Sequence, residues 1–329
     1  MKKILIMLFI ASLGVISCKK ESCENPFYCD WDTPFEVPPF DKIKIEHFKP
    51  AFLKGMEEEM AEVNAIISNT DEPTFDNTIR AMQFTGKLLQ KVQRAWGPLS
   101  GANTNDSIQA LQREMSPLFS RHSDDIALNE KLFERVKSVY ENREKFNLTP
   151  EESKLLEDEY LGFIRSGIGL SSENKEVLRK LNSELSLLGV RFGENLLAET
   201  NAFTLVIDNE QDLSGIPEGI RAQAAAAARA KNMEGKWLFT LQNPSYIPFM
   251  TYADNRALRE KMFRGYSMRG NNGNEHDNNK ILADIIRLRV EKARLLGYES
   301  HADYVLERNM AKEPETVLNF LSQICEAAL

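Results

Sequence analysis

Three residues that can each bind a metal ion stand side by side in the stretch GNEHDNNK, residues 273–280. They are Glu275, His276 and Asp277. A zinc hydrolase typically takes two His ligands one helical turn apart and a Glu that activates water, which gives the pattern His-Glu-x-x-His. Adjacent side chains point apart, and the Gly and Asn residues around them favour a turn. The stretch is therefore predicted to be a polar turn and not a metal site.

The same stretch carries the signal for a helix start. Asn is a preferred N-cap residue, and an acidic side chain is favourable near the positive end of a helix. Asn278 or Asn279 is therefore predicted to begin the next helix, with Asp277 beside its amino terminus.

No other motif in the sequence supplies a catalytic group or a metal ligand set. The four histidines are separated by at least 25 residues, and none has another His three or four positions further on; they are His47, His122, His276 and His301. Gly-x-Ser-x-Gly, phosphate-binding Gly-x-x-x-x-Gly-Lys-Ser/Thr and Gly-x-Gly-x-x-Gly after a strand are absent from these 329 residues. We therefore assign no catalytic residue and no metal ligand.

The amino terminus has the features of an export signal. Lys2 and Lys3 precede an apolar run from Ile4 to Ile16, which is too short to span a bilayer as a helix. The run ends in Val-Ile-Ser before Cys18, an order that resembles the lipobox of bacterial lipoproteins. We expect residues 1–17 to be removed and Cys18 to be lipidated, which would give an exported, membrane-anchored lipoprotein in the periplasm or at the cell surface. The alternative is a plain signal peptide with a nearby Cys.

Charge and cysteine content agree with an exported protein that does not bind nucleic acid. The chain has 49 acidic and 41 basic residues, whereas nucleic-acid-binding proteins usually show a basic excess. Cys23 and Cys29 could form a local disulfide outside the cytoplasm, where disulfides persist. Cys325 is more typical of a buried, inert thiol than of a reactive one.

The hydrophobic pattern predicts a mainly α fold, an array of many helices. Leu178, Leu181, Leu185, Leu188, Phe192 and Leu196 form one continuous stripe at helical spacing. Thr149, Pro150 and Glu152 give a capping box at the start of another helix. Further helices are predicted around residues 50–67, 76–95, 105–121, 129–145, 220–231, 254–266, 279–297, 300–309 and from 315 to the end.

Two short stretches interrupt this pattern. Residues 202–207 (AFTLVI) and 236–241 (KWLFTL) are rich in β-branched and aromatic residues and are bounded by turn-forming residues. They are predicted to form a short two-stranded β element near 202–241.

Several separated blocks of the chain resemble the M3 family of zinc metallopeptidases, specifically the amino-terminal half of its Dcp-type peptidyl-dipeptidases. The blocks are PPFDKIKIEHFKPAFLKGM (38–56), PTFDNTI (73–79), SRHSDDIALNEKLFERVKSVY (120–140), NPSYIPFMTYADNRALREKMFRGYSMRG (243–270) and IIRLRVEKARLLGYESHADYVLERNMAKEPETV (285–317). The resemblance covers residues 34–329 in the family's order, but none of the blocks is the catalytic motif.

The resemblance implies a helical fold split by a channel that admits short peptides, with zinc held in the carboxyl-terminal half. In that family, His-Glu-x-x-His supplies two ligands and a general base, and a later Glu supplies the third ligand. None of these residues can be matched to this sequence. The fold is therefore expected to be truncated before the zinc-binding helices, with no zinc bound by this chain alone and no peptidase activity.

The implied domains follow from both the pattern and the resemblance. Residues 1–17 are the lipoprotein signal peptide, 18–40 a tether and extended segment, 41–200 the amino-terminal helical domain, and 201–329 the β element and the start of an incomplete M3 catalytic domain.

Two classes of function fit the sequence. The first is the amino-terminal portion of a lipid-anchored zinc peptidyl-dipeptidase that releases carboxyl-terminal dipeptides from oligopeptides, with an endo-acting oligopeptidase as a close variant. The other is a non-catalytic helical lipoprotein, acting as a peptide-binding or scaffold module.

Overall fold

The computed structural model describes residues 24–329. Helices dominate this part of the chain. The α-helices are α1 (Ile45–Ser68), α2 (Lys87–Ala102), α3 (Asp106–Ala127), α4 (Glu130–Glu141), α5 (Pro150–Arg165), α6 (Ser172–Ala202), α7 (Glu218–Ala230), α8 (Asn243–Tyr252), α9 (Arg256–Ser267), α10 (Asn279–Leu295), α11 (His301–Leu306) and α12 (Pro314–Ala328). The two strands are β1 (Leu205–Ile207) and β2 (Trp237–Phe239). The predicted fold class is confirmed.

Local sequence signals set several helix boundaries as predicted. The Thr149 hydroxyl accepts a hydrogen bond from the Glu152 amide at 3.2 Å, and the Glu152 carboxylate accepts one from the Thr149 amide at 3.0 Å. This capping box satisfies two amide groups that the helix itself leaves without partners, and α5 accordingly begins at Pro150.

One predicted helix, over residues 76–95, is divided in the structure. A π-helical segment covers Phe75–Arg80, and α2 begins only at Lys87. Gly86 separates the two with a left-handed φ of 69°, and its amide donates to the Glu62 carboxylate at 2.7 Å. Glycine adopts this conformation without the steric cost of a side chain, so the break occurs there.

The first helices enclose two apolar cores. One core joins the 3₁₀ turn Pro26–Tyr28 to α1, α2 and α3, and Phe27, Phe48, Phe52 and Trp96 form its aromatic centre. Phe27 and Phe48 lie with their ring centroids 5.0 Å apart. The second core joins α1, the π-helical segment, α4 and α5. The beginning of the described chain is therefore packed against α1, α2 and α3. The domain limits given above stay predictions.

The two strands form an antiparallel pair in the register Leu205 to Phe239 and Ile207 to Trp237. Both lie inside the predicted stretches but are shorter than them. The pair, α7, α8 and α9 enclose a third apolar core that contains Leu213, Phe239, Phe249 and Met262.

The long helix α6 links these parts of the fold. It packs against α3 on one side and α10 on the other. Leu181, Leu188 and Leu288 form the buried cluster between α6 and α10. Within residues 24–329, no helix combines the length and the apolar character needed to cross a bilayer.

Candidate functional site

The loop of residues 270–278 converges on one carboxylate, that of Glu199 near the end of α6. The Gly270 amide and the Asn272 side-chain amide donate to Glu199 Oε2 at 2.8 and 2.5 Å. The Asn274 side-chain amide donates to Oε1 at 2.5 Å. The glycine- and asparagine-rich stretch is therefore tied to α6 by three hydrogen bonds to a buried ionisable group.

Glu199 is buried, with 7% of the residue exposed. Burial by itself raises the pKa of a carboxyl group, because the charged form loses its hydration. At Glu199 the three hydrogen bonds outweigh this effect, nearby His276 acts in the same direction, and the pKa lies below its ordinary value. Glu199 therefore stays ionised at neutral pH, with both oxygens engaged by the loop.

Asn278 and Asp277 fix the end of this loop to the start of α10. The Asn278 side chain is buried, accepts from the Asn195 amide at 2.9 Å and donates to the Phe192 carbonyl at 3.1 Å. The Asp277 carboxylate accepts from the Asn279 amide at 2.8 Å and the Gly273 amide at 3.0 Å, and these bonds lower its pKa. The predicted helix start at Asn278 or Asn279 is confirmed.

A cavity of about 620 Å³ lies between this loop, the end of α6, β1 and α9. Phe203, Leu205 and Met268 give it apolar surface, the Asn272 and Asn274 amides give it polar surface, and the exposed Lys261 and Arg264 give it positive charge. The one carboxylate on the cavity wall, Glu199, already accepts three hydrogen bonds. The arrangement can bind a polar chain with an apolar side group.

The four histidines have four different environments. His47 accepts from the Lys44 amide and caps α1, at an Nδ1 to N distance of 3.0 Å. His122 Nε2 lies 2.7 Å from the Glu59 carboxylate. His276 belongs to the loop of residues 270–278 and lines the cavity. The pKa of His301 is lowered mainly by burial and further by the positive charges of Arg289 and Lys292.

The side chains of residues 24–329 form no cluster of metal ligands. No three His, Cys, Asp or Glu side chains in this described range are grouped so that they could hold a metal. Glu275, His276 and Asp277 form no such group either, and the Asp277 carboxylate accepts hydrogen bonds from two backbone amides.

A second buried polar group was not predicted from the sequence. Asn182 on α6 donates to the Asp124 carboxylate at 2.8 Å and accepts from Lys292 on α10 at 2.7 Å. Burial raises the pKa of Asp124 and lowers the pKa of Lys292, because each loses hydration of its charged form. This chain of contacts joins α3, α6 and α10 and is structural in character.

The positions predicted for lipidation and disulfide formation are described only in part. Cys18 and Cys23 lie outside residues 24–329. Cys29 is disulfide-bonded, and its pairing with Cys23 stays a prediction. Cys325 carries a free thiol that is exposed, so the expectation of a buried thiol there is wrong. It lies in the last turn of α12, whose residues are exposed except for the half-buried Pro314 and Val317.

The role of Glu199 had a signal in the sequence. The predicted stripe of α6 ends at Leu196, and one further step of three reaches Glu199; one step of three before Leu178 reaches Lys175, which is also buried. A charged residue in phase with an apolar stripe is directed towards other elements and needs a partner there. The identity of that partner could not be read from the pattern, because the loop lies some 70 residues further along the chain.

Comparison with known proteins gives the class to which this fold belongs. Residues 249–329 match the profile of peptidase family M3. The chain is 36% identical over 304 residues to dipeptidyl carboxypeptidase of Escherichia coli (strain K12), which covers 92% of this chain and 45% of that protein. It is 33% identical over 300 residues to oligopeptidase A of the same strain, covering 90% of this chain and 44% of that protein.

A plant protein is also similar to this chain. Organellar oligopeptidase A, chloroplastic/mitochondrial, of Arabidopsis thaliana is 30% identical over 299 residues, which is 87% of this chain and 36% of that protein. The chain belongs to peptidase family M3, and the predicted resemblance is confirmed. It spans less than half the length of these relatives.

Proposed function

We propose that this chain is the amino-terminal portion of a zinc-dependent peptidyl-dipeptidase, which releases carboxyl-terminal dipeptides from oligopeptides. The identity of 36% over 92% of the chain to dipeptidyl carboxypeptidase carries the proposal. In this proposal the described helices supply one wall of a peptide channel, and the cavity beside Glu199 is a surface on that wall. Short peptides are the proposed substrates, and zinc is the proposed cofactor of the complete enzyme.

The relatives named oligopeptidase A favour an endo-acting oligopeptidase as a second candidate. The two differ in whether the free carboxyl terminus of the peptide is needed for cleavage. Assays of the complete enzyme on one peptide, with its carboxyl terminus free or amidated, separate the two candidates. A peptidyl-dipeptidase loses activity on the amidated peptide, whereas an endopeptidase keeps it.

We also propose that the 329-residue chain is inactive alone, because its sequence contains no His-Glu-x-x-His. The purified chain is expected to hold no stoichiometric zinc by elemental mass spectrometry and to release no dipeptide from an amino-blocked oligopeptide. Dipeptide release that a chelator abolishes would contradict this part of the proposal. A His-Glu-x-x-His in the reading frame after residue 329 supports the enzyme, and a stop codon there supports a non-catalytic binding module.

The proposed location is outside the cytoplasm, on a membrane, through a lipid on Cys18. The charged start, the short apolar run and the Val-Ile-Ser-Cys order support it. Intact-mass measurement of the membrane-extracted protein is expected to show a mature chain that starts at Cys18 and carries acyl groups. A mature chain with an unmodified Cys18, or the retention of residues 1–17, would contradict it.

A further inference from the structure

The short turn Pro34–Glu36 holds a phenylalanine almost entirely in solvent. Phe35 is 99% exposed, and its backbone φ is 57°. Glu36 follows with a φ of 55°. A left-handed conformation is uncommon for residues other than glycine, because it costs free energy. Residues held in this conformation are found more often at functional positions than elsewhere. The hydroxyl of Thr33 donates to the Val37 carbonyl at 2.6 Å and closes the turn around this side chain.

Aromatic and basic side chains surround this turn. Phe35 and Trp31 line one depression of the surface with three cations of α2 and two acids, Asp30 and Glu36. Phe84 is 60% exposed, and the Lys87 ammonium lies 5.5 Å from its ring centroid. We call this surface the aromatic face; its members are Trp31, Phe35, Phe84, Lys87, Lys91 and Arg94.

The aromatic face adjoins the place where the described chain begins. Phe27 is buried in the first apolar core, and the Asn25 amide donates to the His47 carbonyl at 2.8 Å, so the chain is fixed from this point on. The Lys91 ammonium donates to the Cys29 carbonyl at 2.5 Å and lies 4.5 Å from the Trp31 ring centroid. The start of the fixed chain and the aromatic face therefore share one side of α2.

The chain length between Cys18 and this point limits how far the face can lie from a lipid on Cys18. Glu24 lies six positions after Cys18, with five residues between them. Even fully extended, these six steps span only about 20 Å. A lipid anchor on Cys18 would therefore keep the aromatic face close to the headgroup region of the bilayer.

We propose that the aromatic face docks on the surface of the bilayer and orients the protein on it. This proposal rests on the proposed lipid anchor. Phe35 and Phe84 would enter the interface between headgroups and acyl chains, where aromatic rings are favourable. Three cations against two acids make the face locally positive, in a chain whose net charge is −8, which suits anionic phospholipid headgroups.

The test measures vesicle binding by the aromatic face in a chain that carries no lipid anchor. The mature chain 18–329 with Cys18→Ser is incubated with vesicles of phosphatidylethanolamine and phosphatidylglycerol, and the bound fraction is measured by flotation. Phe35→Ser is expected to lower the partition coefficient about ten-fold, as for removal of one large buried apolar side chain. Lys87→Glu is expected to lower it several-fold on these vesicles and to leave it unchanged on phosphatidylcholine vesicles.

Phe263→Ser is the matched control, because Phe263 is 55% exposed on α9, far along the chain from the tether. Its partition coefficient is expected to equal that of the parent chain. All three changes are at exposed positions, and equal melting temperatures will show that the variants are folded.

Three results overturn the proposal: no vesicle binding by the parent chain, equal binding by Phe35→Ser, or an equal loss in Phe263→Ser. Equal binding by Phe35→Ser would point to a protein partner for this turn. Failure of the lipid anchor is a separate result, because it appears as an unmodified Cys18 in the mass of the extracted protein and does not alter binding by a chain that has no lipid.

Discussion

Glu199 is the residue on which the loop of residues 270–278 depends. Its carboxylate accepts from two side-chain amides and one backbone amide, and it is the acidic residue of the cavity wall. Hydrogen bonds to an ionised acceptor are stronger than neutral ones, and donors left without a partner after burial are costly. The loop is therefore expected to lose its order when this one side chain is changed.

Glu199→Ala is expected to lower the free energy of unfolding by about 2 to 3 kcal/mol, because three donors lose a charged acceptor. Chemical denaturation monitored by circular dichroism measures the change. Glu184→Ala, at an exposed position of the same helix, is the control and is expected to change stability by less than about 0.5 kcal/mol. A loss of equal size in the two variants would show that the loop contacts are not the cause.

The contribution of Glu199 is also expected to depend on pH. Its pKa is lowered in the folded protein, so the stabilisation by the ionised carboxylate is complete above its ordinary pKa of 4.5 and is lost as the pH falls through the folded value. The stability difference between the parent and Glu199→Gln is expected to shrink as the pH falls below about 4.5. Denaturation curves at several pH values measure it, and a difference that grows towards acid pH would have the wrong sign.

At the scale of the elements, one close contact positions α9 against the segment between α6 and β1. Gly265 on α9 faces Phe203, and a Cβ atom there would lie 2.4 Å from the ring. Phe203 follows directly after α6, so this contact sets the position of α9 next to the cavity.

Gly265→Ala is expected to lower the free energy of unfolding by about 1 to 3 kcal/mol, because the added methyl group overpacks this contact. Gly193→Ala is the control, because nothing lies within 4 Å of its Cβ position on α6. Alanine favours a helix over glycine, so Gly193→Ala is expected to be neutral or to stabilise by up to about 1 kcal/mol. Thermal denaturation of both variants checks this, and equal gains would show that Phe203 can move aside.

The elements that the sequence predicts well are those set by neighbouring residues. The capping box at Thr149 and the apolar stripe of α6 are local patterns, and α5 and α6 form where these patterns lie. The two strands were also predicted, because β-branched and aromatic residues mark them within six positions.

The contacts that the sequence could not predict join distant positions. The break at Gly86 depends on Glu62, which lies 24 residues earlier, and the loop at Asn274 depends on Glu199, which lies 75 residues earlier. A periodic pattern tells which face of a helix is buried, but it carries no information on which distant donor meets a buried acid. The candidate site was therefore predicted only as a polar turn.

On the scale of the whole molecule, α12 exposes a row of large apolar side chains. Leu318, Phe320, Leu321 and Ile324 are 48–63% exposed. An apolar surface of this kind usually marks an interface. The 329-residue chain alone is therefore expected to self-associate.

Sedimentation velocity over a range of concentrations measures this association. The double variant Leu321→Glu and Ile324→Glu is expected to sediment as a monomer, because charge on the face opposes apolar contact. Glu315→Lys, at the start of the same helix, is the control and is expected to associate like the parent. A parent chain that stays monomeric at all concentrations would show that this surface is tolerated in water.

The length of α6 has a mechanical consequence. Its 31 residues form a rod about 46 Å long, held near one end by Lys175 with Glu130 and near the other by Glu199 with the loop of residues 270–278. Because α6 also packs against α3 and α10, it holds the first helices and the distant cavity apart as one rigid spacer.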